Sequence, residues 1–413
     1  MSADSGTGAV TINATTATTS TADSVRAVPI LWLALLSAPI AAANNAPVLI
    51  LGDMSRSLGV TTATAAWLVT VFGWALAVGT PLIATLLRMH GTRVSVLTSA
   101  ALVVAGTVLV AASPWLLLTL AGRAAQAAGG AGMMAVAMSL AGTARRMGVI
   151  SAGGGILGAV GPLLGQALTD AVSWRAALSL SLIAVLAVPA VLLHTKHDVA
   201  PAEKGFDTTG ALLVTAVTTG IVLLPRYTAA GIAVAVFAAG LLAWHVRRRP
   251  DGFVPAVVLG TRVFHTAALI GITLSTSYFS LLFAVPRLLS DRAGWSSGAV
   301  ALGQMTALIT GALLALGFAA VSARLGRVRT RLVLLTAGVT GAVTAVFAHS
   351  APGLLAATVV AVLGSTGANA TQSMDGRSAV PPAQRPAAVG LFSLSYLLGG
   401  ALGPALATAL VLG

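Results

Sequence analysis

Apolar residues in this sequence come in long runs separated by short segments that hold most of the polar and basic residues. A helix of roughly 17 to 25 apolar residues is long enough to cross the bilayer core of about 30 Å. The pattern therefore predicts an all-α polytopic membrane protein with about 13 transmembrane helices, at 29–52, 64–87, 94–112, 115–142, 147–170, 174–193, 208–225, 229–246, 263–286, 297–321, 332–349, 353–373 and 387–412.

Composition and charge support a membrane protein and exclude several other classes. The 413 residues are 57% hydrophobic and only 8% charged, which does not fit a soluble domain of this length. The absence of cysteine excludes disulfides, thiolate metal sites and cysteine nucleophiles. The net charge of +13 comes from short basic clusters between apolar runs, without interleaved aromatic residues. We therefore expect no nucleic-acid partner, and the basic clusters place the N-terminus in the cytoplasm.

The two halves of the chain share landmarks in the same order. A basic turn at Gly91 follows the second span, and a similar turn at Gly326 follows the tenth. A Gly-Pro pair lies in the fifth span and again in the last one. Repeats of this kind are how many secondary transporters are built, so the landmarks predict two related helical bundles.

The fifth span, "AGGGILGAVGPLLGQALTDA", carries a stripe of glycines along one helix face, which allows close approach of a second helix in the membrane. Its proline cannot donate a hydrogen bond to the carbonyl four residues earlier, and that residue is again a glycine. The last span repeats this arrangement. We expect both helices to bend where the bundles rock against each other, through Gly154, Gly158, Gly161, Pro162, Gly165, Gly400, Gly403 and Pro404.

Several motifs resemble those of the major facilitator superfamily, and in particular its fourteen-span drug:proton antiporter branch. "ATLLRMHGTR" resembles the loop motif between spans two and three, and "LAGRAAQAAGGAG" resembles the fourth-span motif with its Arg and Gln. "LGAVGPLLGQ" resembles the fifth-span antiporter motif, and "SWRAAL" the start of span six. The loop motif and its counterpart in the second half comprise Arg88, Gly91, Arg93, Arg324 and Gly326.

The resemblance implies a fold and a domain organisation. We expect a disordered cytoplasmic tail at 1–27, a six-helix bundle at 28–194, a linker with two extra central helices at 195–262, and a second bundle at 263–413 that lacks the fourteenth helix. One departure concerns the first span, where Ala43 stands at the position of an aspartate in the branch.

The resemblance also implies a function: export of drug-like, amphipathic small molecules, including antibiotics, by proton antiport and alternating access. Arg123 is the one basic residue inside a span, and a buried charge in a membrane is usually functional. The alternative is that Arg123 extends to the outer surface. The acids are candidates for proton carriers, or for ordinary roles at helix ends. The predicted transport and coupling residues are Arg123, Gln126, Asp53, Asp170 and Asp375.

Polar side chains cluster in spans one, four, nine, ten and twelve. The resemblance implies that most of these spans line the transport cavity. Together with flexible and aromatic neighbours, the predicted cavity-lining residues are Asn44, Asn45, Met133, Met134, Tyr278, Phe279, Gln304, Met305, Asn369, Gln372 and Tyr396.

A second function remains open on the same fold, a proton-independent facilitator or importer of a metabolite, which the missing aspartate favours. A membrane enzyme or receptor would need a polar catalytic cluster that the spans do not hold. The sequence has no phosphate-binding GxxxxGK[ST] loop for ATP. We therefore expect a monomeric, multi-pass protein of the cell membrane without cofactor or metal, whose partners are a drug-like compound, protons and the bilayer.

Overall fold

A computed structural model describes residues 28–195 and 205–409. This part of the chain contains thirteen apolar helices, numbered here in chain order, together with shorter helical segments such as Leu51–Leu58 and Ala256–Leu259. The predicted tail at 1–27 lies outside the described residues. The helices are α1 (Ile30–Asn45), α2 (Thr62–Leu87), α3 (Met89–Ala112), α4 (Leu116–Ala141), α5 (Ala144–Ala171), α6 (Leu180–His194), α7 (Thr208–Leu223), α8 (Thr228–Arg248), α9 (Arg262–Ala293), α10 (Ser297–Ser322), α11 (Arg324–Phe347), α12 (Ala351–Ser378) and α13 (Arg385–Ala407).

Eleven of these helices are long and apolar enough to cross a membrane, whereas α6 and α7 are apolar but shorter. The apolar run 174–193 is helical, as predicted, but it does not form one continuous α-helix. That segment is a short helix, Trp174–Leu178, followed by a 3-10 stretch, Leu180–Ala187, and a last helical piece, Val188–His194. Pro189 lies in the first turn of this last piece, where it lacks the N–H that would continue a regular helix from the preceding stretch.

Two glycines break long helical runs at equivalent places in the two halves. The run Trp67–Ala112 turns at Gly91, and the run Ser297–Phe347 turns at Gly326. Their φ angles of 77° and 76° lie in the left-handed region that favours glycine. The matching turns support the repeat that the sequence predicts.

Helices α1 to α6 form one bundle and α9 to α13 the other. In the first bundle α1 packs on α5 and α3 on α4; in the second, α9 packs on α13 and α11 on α12. The core of the first bundle is apolar and includes Leu33, Phe72, Val103, Met133 and Ala184. The extra helices α7 and α8 pack on each other, and Val214 and Val246 join an apolar cluster with Phe392 of α13.

Two seams join the bundles, α2 against α13 and α5 against α10. Along the first seam the backbones come close: a Cβ atom at Gly73 would lie 3.0 Å from Cα of Ala401. An apolar cluster also crosses between the bundles, with Met54 and Leu68 from the first and Phe283 and Leu308 from the second. The two bundles are thus closely packed against each other along these contacts.

Candidate functional site

Arg123 lies within α4 and is completely buried inside the first bundle, so it does not extend to the surface. Its guanidinium donates to the backbone carbonyls of Ala43 at 3.3 Å, Leu68 at 3.4 Å and Leu178 at 3.4 Å. Its Cζ atom also lies 4.0 Å from the centroid of the Phe72 ring, a cation–π arrangement. The charge is therefore met by carbonyl dipoles and an aromatic face, with no carboxylate among these partners.

The local sequence explains why two of these carbonyls are free to accept. The residue four positions after Ala43 is Pro47, which has no N–H to donate back. Leu178 ends the short helix Trp174–Leu178, and the last carbonyls of a helix lack intrahelical partners. Arg123 thus donates hydrogen bonds to two backbone carbonyls, at the end of α1 and before α6, that lack a donor within their own helix.

Gln126 is buried beside Arg123 and links it to α3. Arg123 Nη1 donates to Gln126 Oε1 at 3.0 Å, and Gln126 Nε2 donates to Thr107 Oγ1 at 3.1 Å. The structure thus brings together the two fourth-span residues that the sequence singles out.

Asn44 and Asn45 end α1 on the side that faces α5 and the opposite bundle. Asn45 Nδ2 donates to the Gly158 carbonyl at 2.9 Å, and Asn44 Nδ2 donates to Asn45 Oδ1 at 3.0 Å. The Gly158 carbonyl is the one that Pro162 leaves without its intrahelical donor. The predicted cavity residue Asn45 therefore contacts the predicted gating helix.

Two tyrosines of the second bundle complete this polar group. The Tyr278 hydroxyl lies near the Asn45 amide, across the bundle interface, and near Tyr396. The Tyr396 hydroxyl lies 3.0 Å from Ser365 Oγ. We call Asn44, Asn45, Tyr278, Tyr396 and Ser365 the central polar cluster. All five side chains are neutral, and Asn44, Tyr278 and Tyr396 are half-buried.

The remaining predicted cavity residues occupy different surroundings. Phe279 is buried, with its ring centroid 4.7 Å from that of Tyr278. Met133 is fully buried in the core of the first bundle. Gln304 is also buried, and its Nε2 donates to the Leu282 carbonyl at 3.3 Å. Of the other predicted cavity residues, Met134 and Met305 are half-buried, Asn369 is exposed and Gln372 is buried.

None of the three predicted proton carriers forms a hydrogen bond or ion pair with a residue of the central polar cluster in the described part of the chain. Asp53 pairs with Arg56, and Asp170 is exposed and accepts from Gln166 Nε2 at 2.8 Å. Asp375 is paired with two arginines of α11, each at 3.1 Å: its Oδ1 with Arg327 and its Oδ2 with Arg331. Arg331 also donates to Gln372 Oε1 at 3.0 Å. A role of these acids in coupling stays a prediction.

The glycine stripe of α5 packs on α1 over part of its length. A Cβ atom would lie 2.8 Å from the Ala42 carbonyl oxygen at Gly161 and 2.2 Å from the Ala46 carbonyl oxygen at Gly165, whereas Gly154 has no such neighbour within 4 Å. In the second bundle, Gly400 and Gly403 of α13 pack on Phe279 in the same way. Pro162 and Pro404 lie inside α5 and α13 without ending either helix.

The loop-motif residues surround the two glycine turns. Arg93 and Arg324 are exposed, whereas the Arg88 side chain lies outside the described part of the structure.

A buried cluster in the extra pair of helices was missed by the sequence reasoning. Asp207 caps α7 by accepting from the Gly210 N–H at 3.0 Å, and it also accepts from the Phe253 N–H at 2.9 Å. His245 Nε2 of α8 lies 2.8 Å from Asp207 Oδ1. Burial raises the pKa of the Asp207 carboxyl, but these hydrogen bonds outweigh it and hold the pKa below its usual value. An Asp immediately before a helix was the available signal.

Two packed bundles of apolar helices, related by matching turns and joined around a polar cluster, define a polytopic transporter fold. Residues 31–404 match the model of the Major Facilitator Superfamily, and the chain belongs to that family.

The comparisons with known proteins agree at the level of fold and family. The chain is 26% identical over 202 residues to YvkA, an uncharacterized MFS-type transporter of Bacillus subtilis strain 168. That alignment spans 46% of this chain and 46% of the relative, which is less than half of its length. A solved peptide transporter POT in complex with sulfate superposes with a TM-score of 0.66 at 15% identity, over 92% of this chain and 88% of that one. A POT family transporter bound to a thioalcohol conjugated peptide gives 0.60 at 15% identity, over 92% and 89%.

Proposed function

We propose that this protein is a secondary active exporter of amphipathic small molecules, such as drugs or antibiotics, working by alternating access and proton antiport. The central polar cluster is the observation that supports this proposal most. Its side chains come from α1 of the first bundle and from α9, α12 and α13 of the second. A site between two bundles is reached from one side of the membrane or the other as the bundles rock.

The chemistry of the cluster fits an amphipathic compound. Amides and hydroxyls offer hydrogen bonds, and the half-buried Tyr278 ring, which packs on Phe279, offers an apolar surface. Pockets that combine an apolar wall with a few polar groups bind organic small molecules. Resistance to antibiotics would follow from such export.

Efflux of a fluorescent amphipathic dye tests the proposal. Inverted membrane vesicles with and without the protein are given a proton gradient, and dye accumulation is followed before and after the gradient is collapsed. We expect accumulation that needs both the protein and the gradient. Equal dye levels with and without the protein, at verified expression, contradict the export proposal.

A second candidate is a proton-independent facilitator or importer of a metabolite, and one observation favours it. Ala43 stands where the related branch has an aspartate, and it meets Arg123 only through its backbone carbonyl. A backbone carbonyl does not take up and release protons in the physiological range, unlike a carboxylate. Transport down a concentration gradient in de-energised vesicles, unchanged by a proton gradient, would establish this candidate in place of the antiporter.

A further inference from the structure

A cavity of about 260 Å³ lies at one end of the seam between α2 and α13. Trp67 and Thr70 of α2, Arg226 of the loop between α7 and α8, and Ala405 of α13 are among the residues that line it. Helix α2 begins at this end, and the glycine turns follow the opposite ends of α2 and α10. The basic clusters of the sequence predict that the cavity faces the outer side of the membrane.

The wall of this cavity combines the two bundles with the extra pair of helices. Trp74 Nε1 of α2 donates to Thr219 Oγ1 of α7 at 3.2 Å. The Trp67 ring stacks on the Tyr227 ring, with centroids 6.4 Å apart and an interplanar angle of 26°. Helix α7 also packs on α13. The extra pair therefore covers the seam and closes one side of the cavity.

Arg226 brings an unneutralised positive charge to the cavity. It is exposed, and its side chain has no ion-pair or hydrogen-bond partner among the described residues. A guanidinium forms strong, often paired hydrogen bonds with a phosphate or carboxylate. The other arginines at this end all have partners: Arg56 and Arg287 pair with Asp53 and Asp291, and Arg175 and Arg292 donate to the carbonyls of Ser113 and Ala348.

Thr70 adds a buried hydroxyl to the wall. The residue is 2% exposed, and its hydroxyl has no hydrogen-bond partner within the described residues. Thr80 of the same helix donates to the Leu76 carbonyl at 2.8 Å, and Thr408 on the opposite wall donates to the Ala405 carbonyl at 2.8 Å. A buried polar group without a partner is costly. A ligand that accepts a hydrogen bond would remove this cost at Thr70.

The size and position of the cavity indicate which kind of anion fits. Pockets that enclose a drug-sized compound measure about 300–1,000 Å³. A volume of about 260 Å³ therefore suits a compact head group better than a whole transported compound. Trp and Tyr, here Trp67 and Tyr227, are typical of the boundary between hydrocarbon and water. Helix α8 begins one residue after Tyr227, and its Ile232 and Val236 are exposed apolar residues suited to acyl chains.

We propose that this cavity binds the head group of an anionic phospholipid, with its phosphate on Arg226 and Thr70 and its acyl chains in the bilayer. Because α2, α13 and the α7–α8 loop all line the cavity, the head group contacts both bundles and the extra pair. A ligand that binds one conformation shifts the population toward it, so the lipid stabilises the close packing of α2 on α13. The site is separate from the central polar cluster and does not depend on the proposed export function.

Titration of the purified full chain in detergent tests the proposal. The probes are dioctanoyl phosphatidylglycerol, dioctanoyl phosphatidylcholine and glycerol phosphate, and the melting temperature is followed at each concentration. A ligand that binds only the folded protein raises the melting temperature. We expect the anionic lipid to raise it most, since the choline lipid has no net negative charge. Glycerol phosphate should have little effect because it lacks acyl chains.

Variants locate the site within the protein. Arg226→Gln should weaken the apparent affinity for phosphatidylglycerol about tenfold, which corresponds to about 1.4 kcal/mol. Thr70→Val should weaken it about threefold, as expected for one neutral hydrogen bond. Arg56→Gln and Thr80→Val are the matched controls, because Arg56 already has an acid partner and Thr80 already donates within α2. Both controls should bind the lipid as the wild type does.

Three results contradict the proposal. Equal stabilisation of the wild type by the two lipids would show that the negative charge is not recognised. Equal stabilisation of the wild type and Arg226→Gln by phosphatidylglycerol would place the lipid elsewhere. If glycerol phosphate stabilises the wild type as strongly as phosphatidylglycerol, the cavity is a site for a water-soluble anion. Without lipid, Arg226→Gln should melt like the wild type, because Arg226 lies exposed in a loop. A failure of dye export would leave each of these outcomes unchanged.

Discussion

The Nη2 atom of Arg123 lies 3.3 Å from the carbonyl oxygen of Ala43, in place of the carboxylate that a buried arginine usually finds. This contact ties α4 to the end of α1, beside Asn44 and Asn45. The charge is stabilised by the backbone itself, so its effect does not depend on the protonation of a partner.

Arg123→Ala should abolish transport while the protein still reaches the membrane, because the carbonyls of Ala43 and Leu178 lose their donor. We expect a loss of more than about tenfold, since each hydrogen bond to a charged group contributes about 1.5–3 kcal/mol. Arg123→Lys should recover only part of the activity, because an ammonium cannot reproduce the planar fork of donors or the stacking on Phe72. Dye transport at matched protein levels measures both. If Arg123→Ala keeps full transport activity, Arg123 has a role only in packing and none in transport.

A disulfide across the seam between α2 and α13 tests alternating access directly. A Cβ atom at Gly390 would lie 3.8 Å from Cβ of Pro81, which is close to the mean spacing of about 3.8 Å in disulfides. The sequence has no cysteine, so the pair Pro81→Cys and Gly390→Cys would stand alone. Oxidation should stop transport and reduction should restore it.

The two single-cysteine variants, treated with the same oxidant, serve as controls for that experiment. Transport that continues after complete cross-linking would show that α2 and α13 do not separate at this level.

Gly165→Ala should destabilise the protein, because the new Cβ atom would lie 2.2 Å from the Ala46 carbonyl oxygen. Overpacking of this kind typically costs about 1–3 kcal/mol. Gly154→Ala is the matched control on the same helix, since nothing lies within 4 Å of its Cβ position and alanine favours helix formation. Melting of the purified proteins compares them. Equal melting temperatures would mean that α1 and α5 are not packed as described.

Asp207→Asn should lower stability near neutral pH, because it weakens the contacts with His245 and with two backbone N–H groups. The pKa of Asp207 is lowered in the folded protein, so the contribution of its carboxylate is fully present above the usual pKa of about 3.9. It is lost as the pH falls through the lower folded pKa. The difference in melting temperature from the wild type should therefore shrink at acid pH.

The control for Asp207→Asn is Asp251→Asn, which replaces an exposed acid near the same end of α8 and should change little at any pH. A difference between wild type and Asp207→Asn that grows toward acid pH contradicts the assignment.

Much of the fold follows from the sequence because membrane spans have a strong, local signal. The lengths of the apolar runs located the helices, and the glycines at 91 and 326 marked the turns that both halves share. The 3-10 stretch at the start of α6, Leu180–Ala187, could not be read in this way, since it is as apolar as a regular span.

The site was only partly predictable. The sequence singled out Arg123 and Gln126 as one face of a helix, which the structure shows as one hydrogen-bonded pair. It could not show that Asn45 pairs with Gly158, because that contact joins residues 113 positions apart. His245 and Asp207 were overlooked for the same reason: their relationship appears only once α7 and α8 are packed.

Three prolines in this protein leave backbone carbonyls that are paired by side chains from other helices: Ala43 by Arg123, Gly158 by Asn45 and Leu282 by Gln304. All three acceptors are backbone carbonyls, so the side chains of Ala43 and Leu282 take no part in these contacts. Replacement of Ala43 or Leu282 by another helix-forming residue of similar size should therefore leave the contact intact, whereas a change at the proline or at the donor alters it. Among homologues, the proline and its donor are accordingly the two positions expected to change together.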